Sequence, residues 1–282
     1  MASQFVIPDI TFVVFTFNEA ARLPDVIKNF RKYGGILVVD NFSTDETVAI
    51  ARAAGCEVLM NKNAGWVEDF ETTEKVKATV QTPWIYWAFA DEIIAQDVLM
   101  EIKHAVEANT FDIISVMRKN YFYGQFCHEI AATYQIKAFK KAAIDFRNNT
   151  IHNFGRIIVA ETSVYRIPSN KYVHHLISNT VASYLTTISR YTDVETNRGS
   201  ADGKRRTLPY FLLQPIKAIW GDYFLRGGRK AGQPAWTLSI LVMMYGLITA
   251  MKVWERQHGF DSGRIAERYQ QVTDALLQGI GE

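Results

Sequence analysis

The chain contains 282 residues, of which 48% are hydrophobic, 13% aromatic and 21% charged. This composition excludes a disordered, collagen-like or coiled-coil protein, and the length suffices for a full hydrophobic core without disulfide or metal staples. The 31 basic and 29 acidic residues leave a formal net charge of +2, so we expect no nucleic acid among its partners.

The cysteines and the N-terminus indicate a compartment. The two cysteines, Cys56 and Cys127, lie far apart in the sequence, which fits neither a zinc site nor a redox pair and indicates reducing conditions. The first residues lack the basic leader and long apolar stretch of a signal peptide. We therefore expect a cytoplasmic protein.

Short apolar runs alternate with helical patterns in the first 120 residues. Strands are predicted over 10–15, 36–39, 58–60, 84–89 and 111–116. Helices are predicted over 23–30, 45–55, 69–79 and 98–106. This alternation predicts an α/β fold with a mostly parallel central sheet, whose ligand lies at the carboxyl ends of the strands. Farther along, strands are predicted over 134–139 and 156–161, and a helix over 175–191.

Polar residues follow three of these predicted strands. The first strand ends in Thr16-Phe17-Asn18-Glu19, the second in Asp40-Asn41-Phe42-Ser43-Thr44-Asp45, and the fourth in Ala90-Asp91-Glu92. Any one of these turns can simply cap the following helix. None contains the glycine-rich dinucleotide fingerprint, which disfavours a nicotinamide enzyme. Carboxylates at one sheet edge can instead bind nucleotide hydroxyls and a Mg²⁺ or Mn²⁺ ion.

These three turns, in this order, resemble those of the family 2 glycosyltransferases, over about residues 8–120. The resemblance implies a GT-A fold, a Rossmann-like domain that binds a nucleotide-sugar, usually uridine-linked. It also implies inverting transfer and a divalent metal held by Asp91, which would face the diphosphate and act in catalysis. The residues that it puts around the donor are Thr16, Asn18, Glu19, Asp40, Asp45, Ala90 and Asp91.

The second half of the chain looks like the lipopolysaccharide-core glucosyltransferase branch, through Tyr172-Val173-His174-His175 and a glycine-rich basic stretch at 227–232. Two positions depart from that branch. Phe89 stands where the first acid of an Asp-x-Asp turn is usual, and Asn153 follows His152 where a His-Glu pair is common. These departures leave metal affinity and the identity of the base open.

An inverting transfer needs a general base that takes the proton of the acceptor hydroxyl. The candidates after the nucleotide-binding half are Glu129, His152, Glu161 and Asp193. We favour Glu129, which His128 can orient. Basic residues that can reach the diphosphate are Arg118, Lys119 and Arg156.

The composition changes at about residue 204. Residues 204–230 carry seven Lys or Arg and one acid, Asp222, with aromatic residues between them. The uncharged stretch 235–251 follows. As a helix it would be about 25 Å long, shorter than the roughly 30 Å hydrocarbon core, so we expect it to lie in the interface of an anionic membrane. The alternative is that its apolar residues pack in a core or a subunit contact.

We therefore predict a GT-A domain at 1–203 and a basic, aromatic helical region at 204–282 that docks on the inner face of the cell membrane. The protein would transfer a sugar to a glycolipid or polysaccharide acceptor. One alternative is a catalytically impaired nucleotide-sugar-binding protein. Another is a sugar nucleotidyltransferase, although 16–21 lack the glycine-rich basic loop expected there. Whether the protein forms a homo-oligomer stays open.

Overall fold

The computed structural model describes residues 5–63, 69–126, 132–147, 149, 154–176, 180–199 and 208–278. The chain divides into two compact units, Met1–Ser178 and Asn179–Glu282. The first unit is a sheet with helices, and the second is helical. The sequence placed the end of the first domain at residue 203, whereas this division assigns the helix Val181–Gly199 to the second unit.

Strands and helices alternate in the first half of the first unit. Its strands are β1 (Ile10–Thr16), β2 (Gly35–Asp40), β3 (Glu57–Met60), β4 (Trp84–Phe89), β5 (Glu92–Ile94), β6 (Ile113–Phe122), β7 (Gln125–Phe126), β8 (Ala132–Lys140), β9 (Ile144–Asp145), β10 (Arg156–Ile157), β11 (Val164–Arg166) and β12 (Tyr172–His175). Its α-helices are α1 (Leu23–Phe30), α2 (Thr47–Ala53), α3 (Phe70–Thr79) and α4 (Gln96–Ala108). The predicted strands and helices of the first 110 residues are confirmed to within a few residues.

The central sheet has the strand order β3-β2-β1-β4-β8-β6-β12-β5, with β7 and β11 attached to β6. Neighbours from β3 to β4 are parallel, and β6 is parallel to β12 and β11. Strand β8 lies between β4 and β6 and is antiparallel to both. The carboxyl ends of β1, β2 and β4 therefore lie at one edge, as the alternation of elements predicted.

The two faces of the sheet are covered by different helices because strand side chains alternate in direction. On one face, the helix α1 buries Val26 and Phe30, and the Phe30 ring stacks on that of Phe12 with centroids 4.7 Å apart. On the other face, Val76 of α3 belongs to the same buried cluster as Trp87 of β4. Both faces are thus dry, which is why β1 and β4 read as nearly continuous apolar runs.

Two later predictions were wrong. The strand expected over 156–161 is confined to β10, whose partner in the described part of the chain is β9, because Glu161–Ser163 forms a 3₁₀ turn. The helix expected from residue 175 begins at Val181. His175 instead ends β12, which hydrogen-bonds with β6 on one side and β5 on the other. Pairing with strands distant in sequence outweighs the local helical pattern here.

The second unit is a set of helices with a polar contact inside it. They are α5 (Val181–Gly199), α6 (Leu208–Ile219), a π-helical segment (Trp220–Leu225), α7 (Gly232–Gln257) and α8 (Ser262–Gln278). Helix α5 contacts α7, where the Lys252 ammonium lies 2.7 Å from an Asp193 carboxylate oxygen. A 3₁₀ turn (Gly228–Ala231) precedes α7, and the two together form the one helix in the described part of the chain, Gly228–Gln257, that is long and apolar enough to cross a membrane. Its mean hydropathy is 1.5, and 22% of its most apolar window is buried.

Candidate active site

The turns after β1 and β2 are joined by hydrogen bonds centred on Asp40. This carboxylate is fully buried and accepts bonds from the Thr16 hydroxyl at 2.8 Å and from the amide and hydroxyl of Ser43 at 2.7 and 2.6 Å. The Ser43 hydroxyl in turn accepts a bond from the Asn18 amide at 2.8 Å. Buried charges need such partners. Asp40 therefore fixes the two turns to each other.

Asn18 completes this junction. Its φ is +55°, in the left-handed region that Asn tolerates better than most residues, and its side-chain oxygen accepts a bond from the Thr44 amide at 2.8 Å. The Asn18 side chain is exposed at the sheet edge. Phe42 also has a positive φ, of +59°, and its ring is 54% exposed. A bulky residue in this region is strained, and such strain often accompanies a functional site.

Asp45 and Glu19 form the outer part of the junction. Asp45 accepts bonds from Thr47 and from the Ala20 amide, and the hydrogen bond from Thr47 lowers the pKa of this exposed carboxyl. Glu19 pairs with Arg22 at 2.6 Å. Asp45 thus caps the start of α2 and also binds the β1 turn. It lies beside Asn18.

The acidic turn after β4 holds Asp91 in a cationic setting. One Asp91 oxygen, Oδ2, lies 3.1 Å from Nε2 of His175, whose Nδ1 lies 2.7 Å from the Asn120 side-chain oxygen. Burial would raise the pKa of Asp91, but His175, Arg22 and Arg118 outweigh it and lower the pKa to about 2. The other oxygen, Oδ1, is buried without a hydrogen-bond partner in the described structure. Asp91 is therefore ionised and has one free oxygen.

Glu92, the neighbouring acid, has a different role. It is fully buried, and its two oxygens lie 2.6 and 2.5 Å from the Lys137 ammonium, which also donates to the Trp87 carbonyl. Burial lowers the pKa of Lys137, and Glu92 partly offsets this. The Phe89 amide donates to Glu92 at 3.3 Å. This pair clamps the acidic turn to β8.

Strand registers bring the three turns together. Thr16 pairs with Asp40 across β1 and β2, and Phe15 pairs with Phe89 across β1 and β4. Asp40 and the buried Ala90 thus lie two strand spacings apart, about 10 Å. Arg22, which follows the β1 turn, is close enough to Asp91 for their charges to interact. All seven residues expected around the donor therefore lie at this sheet edge.

A divalent ion was expected at Asp91. The described residues contain no group of three or more His, Cys, Asp or Glu that could hold a metal by itself. Mg²⁺ and Mn²⁺, however, are often held by one or two carboxylates, with substrate phosphates and water as the other ligands. The free, buried Oδ1 of Asp91 fits such a site, whereas Glu92 is occupied by Lys137 and Phe89 supplies no oxygen.

The structure describes two of the four candidates for the general base, Glu161 and Asp193. Glu129 and His152 lie outside the described residues, as do His128 and Asn153. Glu161 is exposed beside β11, which pairs with the amino end of β6, whereas the three turns lie at the carboxyl ends of β1, β2 and β4. Asp193 belongs to the second unit and pairs with Lys252.

The roles of His175, Asn120, Arg22 and Lys137 were not predicted from the sequence. His175 was assigned to a helix, and its role depends on β12 pairing beside β5. Lys137 carried a usable signal, because a lysine between Ile136 and Ala138 in an apolar strand needs a buried acid as its partner.

Comparison with known proteins identifies the family. A model described as glycosyl transferase family 2 matches residues 11–165, more than half of the chain. The chain belongs to glycosyl transferase family 2. The match includes β1 to β4 and the three turns of the site.

Curated relatives of this family 2 chain match over shorter stretches. An uncharacterized glycosyltransferase of Rickettsia prowazekii is 31% identical over 103 residues, 36% of this chain and 34% of that protein. Glycosyltransferase AglJ of Haloferax volcanii is 35% identical over 72 residues, 25% of this chain and 23% of that protein. The matched stretches thus span about a third or less of these relatives.

A solved structure resembles this family 2 chain over most of its length. It is the mannosyltransferase PcManGT from Pyrobaculum calidifontis in complex with GDP-Man and Mn²⁺, with a TM-score of 0.50 and 15% identity. The likeness covers 87% of this chain and 86% of that one. It shows the fold, a GT-A-like α/β fold with a curled, mostly parallel sheet.

Proposed function

We propose that this chain is an inverting glycosyltransferase that transfers a sugar from a uridine-linked nucleotide-sugar to a glycolipid or polysaccharide acceptor. The convergence of three polar turns at one sheet edge carries the proposal. The turns of Asn18 and Asp45 lie beside the turn of Asp91, within a distance that one nucleotide-sugar can span. Family membership and a neighbour bound to GDP-Man and Mn²⁺ support a nucleotide-sugar donor and a divalent metal.

The charges around Asp91 suit a departing nucleoside diphosphate. Arg22 and Arg118 lower the pKa of Asp91, so both guanidinium groups lie near this corner and can offset phosphate charge. Asp91 would hold Mg²⁺ or Mn²⁺ through Oδ1, and the ion, when bound, supplies further charge stabilisation for the leaving group. His175 holds the other oxygen of Asp91 and fixes the carboxylate plane.

Asp40 would act on the donor through the turns it holds. Its two oxygens already accept three hydrogen bonds, and its side chain has no exposed surface. Direct contact with a base or ribose requires Ser43 to turn away. Glu129 stays our proposal for the base that receives the acceptor proton as the hydroxyl attacks the anomeric carbon. The lipopolysaccharide-core branch also stays a proposal, based on the resemblance of 172–175 and 227–232.

We further propose that the protein docks on the inner, cytoplasmic face of the cell membrane. Helix α7 is largely apolar, 22% of its most apolar window is buried, and most of its other residues are partly exposed. The Trp220 and Phe224 rings are 57% and 43% exposed, and Arg229 and Lys230 follow shortly after. Aromatic residues beside basic ones favour an anionic bilayer surface.

Liposome flotation tests the docking. Neutralising Arg205, Arg206, Arg229 and Lys230 should release the protein from anionic liposomes at lower salt, at about 1 kcal/mol for each basic residue near the surface. Unchanged binding would count against docking through these residues. Resistance of the wild type to alkaline carbonate would instead indicate that α7 spans the bilayer.

The activity test uses Asp91→Asn with Asp112→Asn as a matched control, since Asp112 pairs with Lys140 at the amino end of β6. Nucleotide-sugars are screened with and without Mn²⁺ by thermal shift and by nucleoside diphosphate release. We expect loss of turnover in Asp91→Asn alone, without loss of folding. Full activity in that variant contradicts the assigned role.

The same assays separate the alternatives. Donor binding by the wild type without turnover indicates the catalytically impaired binding protein, which the phenylalanine at position 89 favours. Release of inorganic pyrophosphate from a nucleoside triphosphate and a sugar phosphate would indicate a nucleotidyltransferase.

A further inference from the structure

A cluster of aromatic residues surrounds one lysine on β6, β7 and β12. The Lys119 ammonium lies 4.3 Å from the centroid of the Phe126 ring and 5.0 Å from that of Tyr172. Tyr121 and His174 complete this aromatic-lysine cluster, with the Tyr121 hydroxyl 2.9 Å from Nδ1 of His174. All five side chains are partly exposed. The cluster is therefore open to a ligand.

The Lys119 ammonium has no hydrogen bond or ion pair within the part of the chain that the structure describes. An ammonium has three N–H donors, and aromatic faces satisfy its charge but accept no strong hydrogen bond. Other partly buried lysines of the unit are paired, such as Lys171 with Glu101 and Lys103 with Glu107. The Lys119 ammonium can therefore bind an anionic group of a ligand.

His174 adds a neutral polar group. Burial lowers its pKa, and the Lys119 cation lowers it further against the opposing effect of Asp97. With Nδ1 bonded to Tyr121, its Nε2 has no partner among the described residues. A neutral imidazole nitrogen of this kind can exchange a hydrogen bond with a sugar hydroxyl. The cluster therefore combines an unpaired cation, a polar nitrogen and aromatic surface.

The cluster lies one register step from His175 of the proposed donor site, on the other face of the sheet. Across β6 and β12, Lys119 pairs with His174, and the next register step pairs Asn120 with His175, which binds Asp91. Successive strand residues point to opposite faces of the sheet. Lys119 and His174 therefore leave the sheet on the side opposite Asn120 and His175, the second of which contacts Asp91. Both sets lie in the carboxyl-terminal half of β6 and at the end of β12.

We propose that this cluster binds an anionic saccharide, with its phosphate or carboxylate on Lys119 and a ring hydroxyl on Nε2 of His174. The inference rests on the proposed function where it takes this saccharide as part of the acceptor. The binding itself requires only the cluster. An acceptor held at this cluster would approach the site from the side away from the β1 and β2 turns.

Calorimetric titration with glucose 6-phosphate, glucuronate, glucose and inorganic phosphate tests the proposal on the full chain. We expect wild type to bind one or both anionic sugars at least tenfold more tightly than glucose, and the two acids distinguish phosphate from carboxylate. Lys119→Met, which keeps an apolar stem between the rings, should lose this preference, and Lys119→Arg should keep it. Lys103→Met is the control, since Lys103 pairs on α4.

Three outcomes overturn the proposal. One is equal binding of glucose and the acids by wild type, and the second is unchanged binding by Lys119→Met. The third is binding of inorganic phosphate as tight as that of glucose 6-phosphate, which would leave the sugar without a role. A lower melting temperature of Lys119→Met with any of these would mean that the lysine only holds the β6–β7 hairpin.

Titration with UDP and Mn²⁺ keeps this test separate from the proposed function. Lys119 was expected among the residues that can reach the diphosphate, but its side chain leaves the sheet on the face opposite Asn120 and His175. The Lys119 variants should therefore bind UDP as wild type does. Anionic sugar binding without any nucleotide binding would refute the proposed function and leave the cluster as a saccharide site. Nucleotide binding without sugar binding would do the reverse.

Discussion

Removing the ammonium of Lys137 should destabilise the first unit strongly. The pair that it forms with Glu92 is buried, with 3% and 0% of the two side chains exposed. Lys137→Met keeps the length of the side chain. Among the described residues, it leaves the Glu92 carboxylate with the 3.3 Å bond from the Phe89 amide and with Arg118, whose guanidinium nitrogen lies 3.9 Å away. An uncompensated buried charge of this kind costs about 3–5 kcal/mol.

Hydrogen exchange measures this loss where it occurs. If the slowest amides of β4 and β8 exchange through unfolding of the unit, their protection should fall by about 10²–10⁴-fold, because each 1.36 kcal/mol is a factor of ten. A urea titration of the full chain should show a matching decrease in the free energy of unfolding. Lys140→Met is a control on the same strand, since the Lys140 pair with Asp112 is 27% and 31% exposed.

The double variant Glu92→Leu, Lys137→Met separates the loss of pairing from the loss of packing. Removing both charges leaves no unpaired buried charge. Most of the stability should therefore return, as for other buried ion pairs replaced by apolar residues. A single variant as stable as the Lys140 control would refute the reasoning. So would a double variant no better than the single one.

Three further predictions concern Asp91, Ser43 and Gly155. Burial raises the pKa of Asp91, but His175 and two arginines outweigh it and lower the pKa from 3.8 to about 2. The ionised carboxylate therefore stabilises the fold above about pH 4, and this contribution is lost as the pH falls through 2. In urea titrations at stepped pH, Asp91→Asn should therefore lose about 2 kcal/mol less than wild type over that range, and an identical acid loss would contradict the assigned charges. Ser43→Ala removes a donor to Asp40 and an acceptor for the Asn18 amide, so thermal and urea unfolding should show a loss of about 1–3 kcal/mol, and wild-type stability would mean that water replaces the hydroxyl. Gly155→Ala should also lower the melting temperature, since φ is +60° and the new Cβ would overlap the Ile144 side chain, whereas Gly35→Ala, with no atom within 4 Å, should unfold almost as wild type does.

Local signals predicted the donor half of the fold well. The apolar runs of β1 to β4 and the stripe of α1 depend on residues within one element, so periodicity alone identifies them. The same pattern predicted that the three polar turns meet, because parallel strands bring their carboxyl ends to one edge of the sheet. It did not predict the contacts that each turn residue makes. Asp40 stays a predicted residue around the donor, and the three hydrogen bonds that join it to Thr16 and Ser43 could not be read from the sequence.

Features that depend on distant pairing were missed. Strand β8 enters the sheet between β4 and β6, and β12 lies beside β5, although these partners are far apart in the sequence. No periodic pattern encodes such neighbours, so the contact of His175 with Asp91 and the pairing of Lys137 with Glu92 stayed hidden. The boundary expected at residue 204 followed a change in charge and stays a prediction, and α5 contacts α7 within one compact unit.

The position of β12 affects how the protein can be divided. The family match ends at residue 165, before this strand begins at Tyr172. A fragment cut at that limit would lack the imidazole beside Asp91 and would expose the hydrogen-bonding edges of both β5 and β6. Unpaired edges promote self-association. Work on an isolated catalytic half should therefore retain the chain through Leu176, whose amide closes this segment onto the Asp91 carbonyl at 2.7 Å.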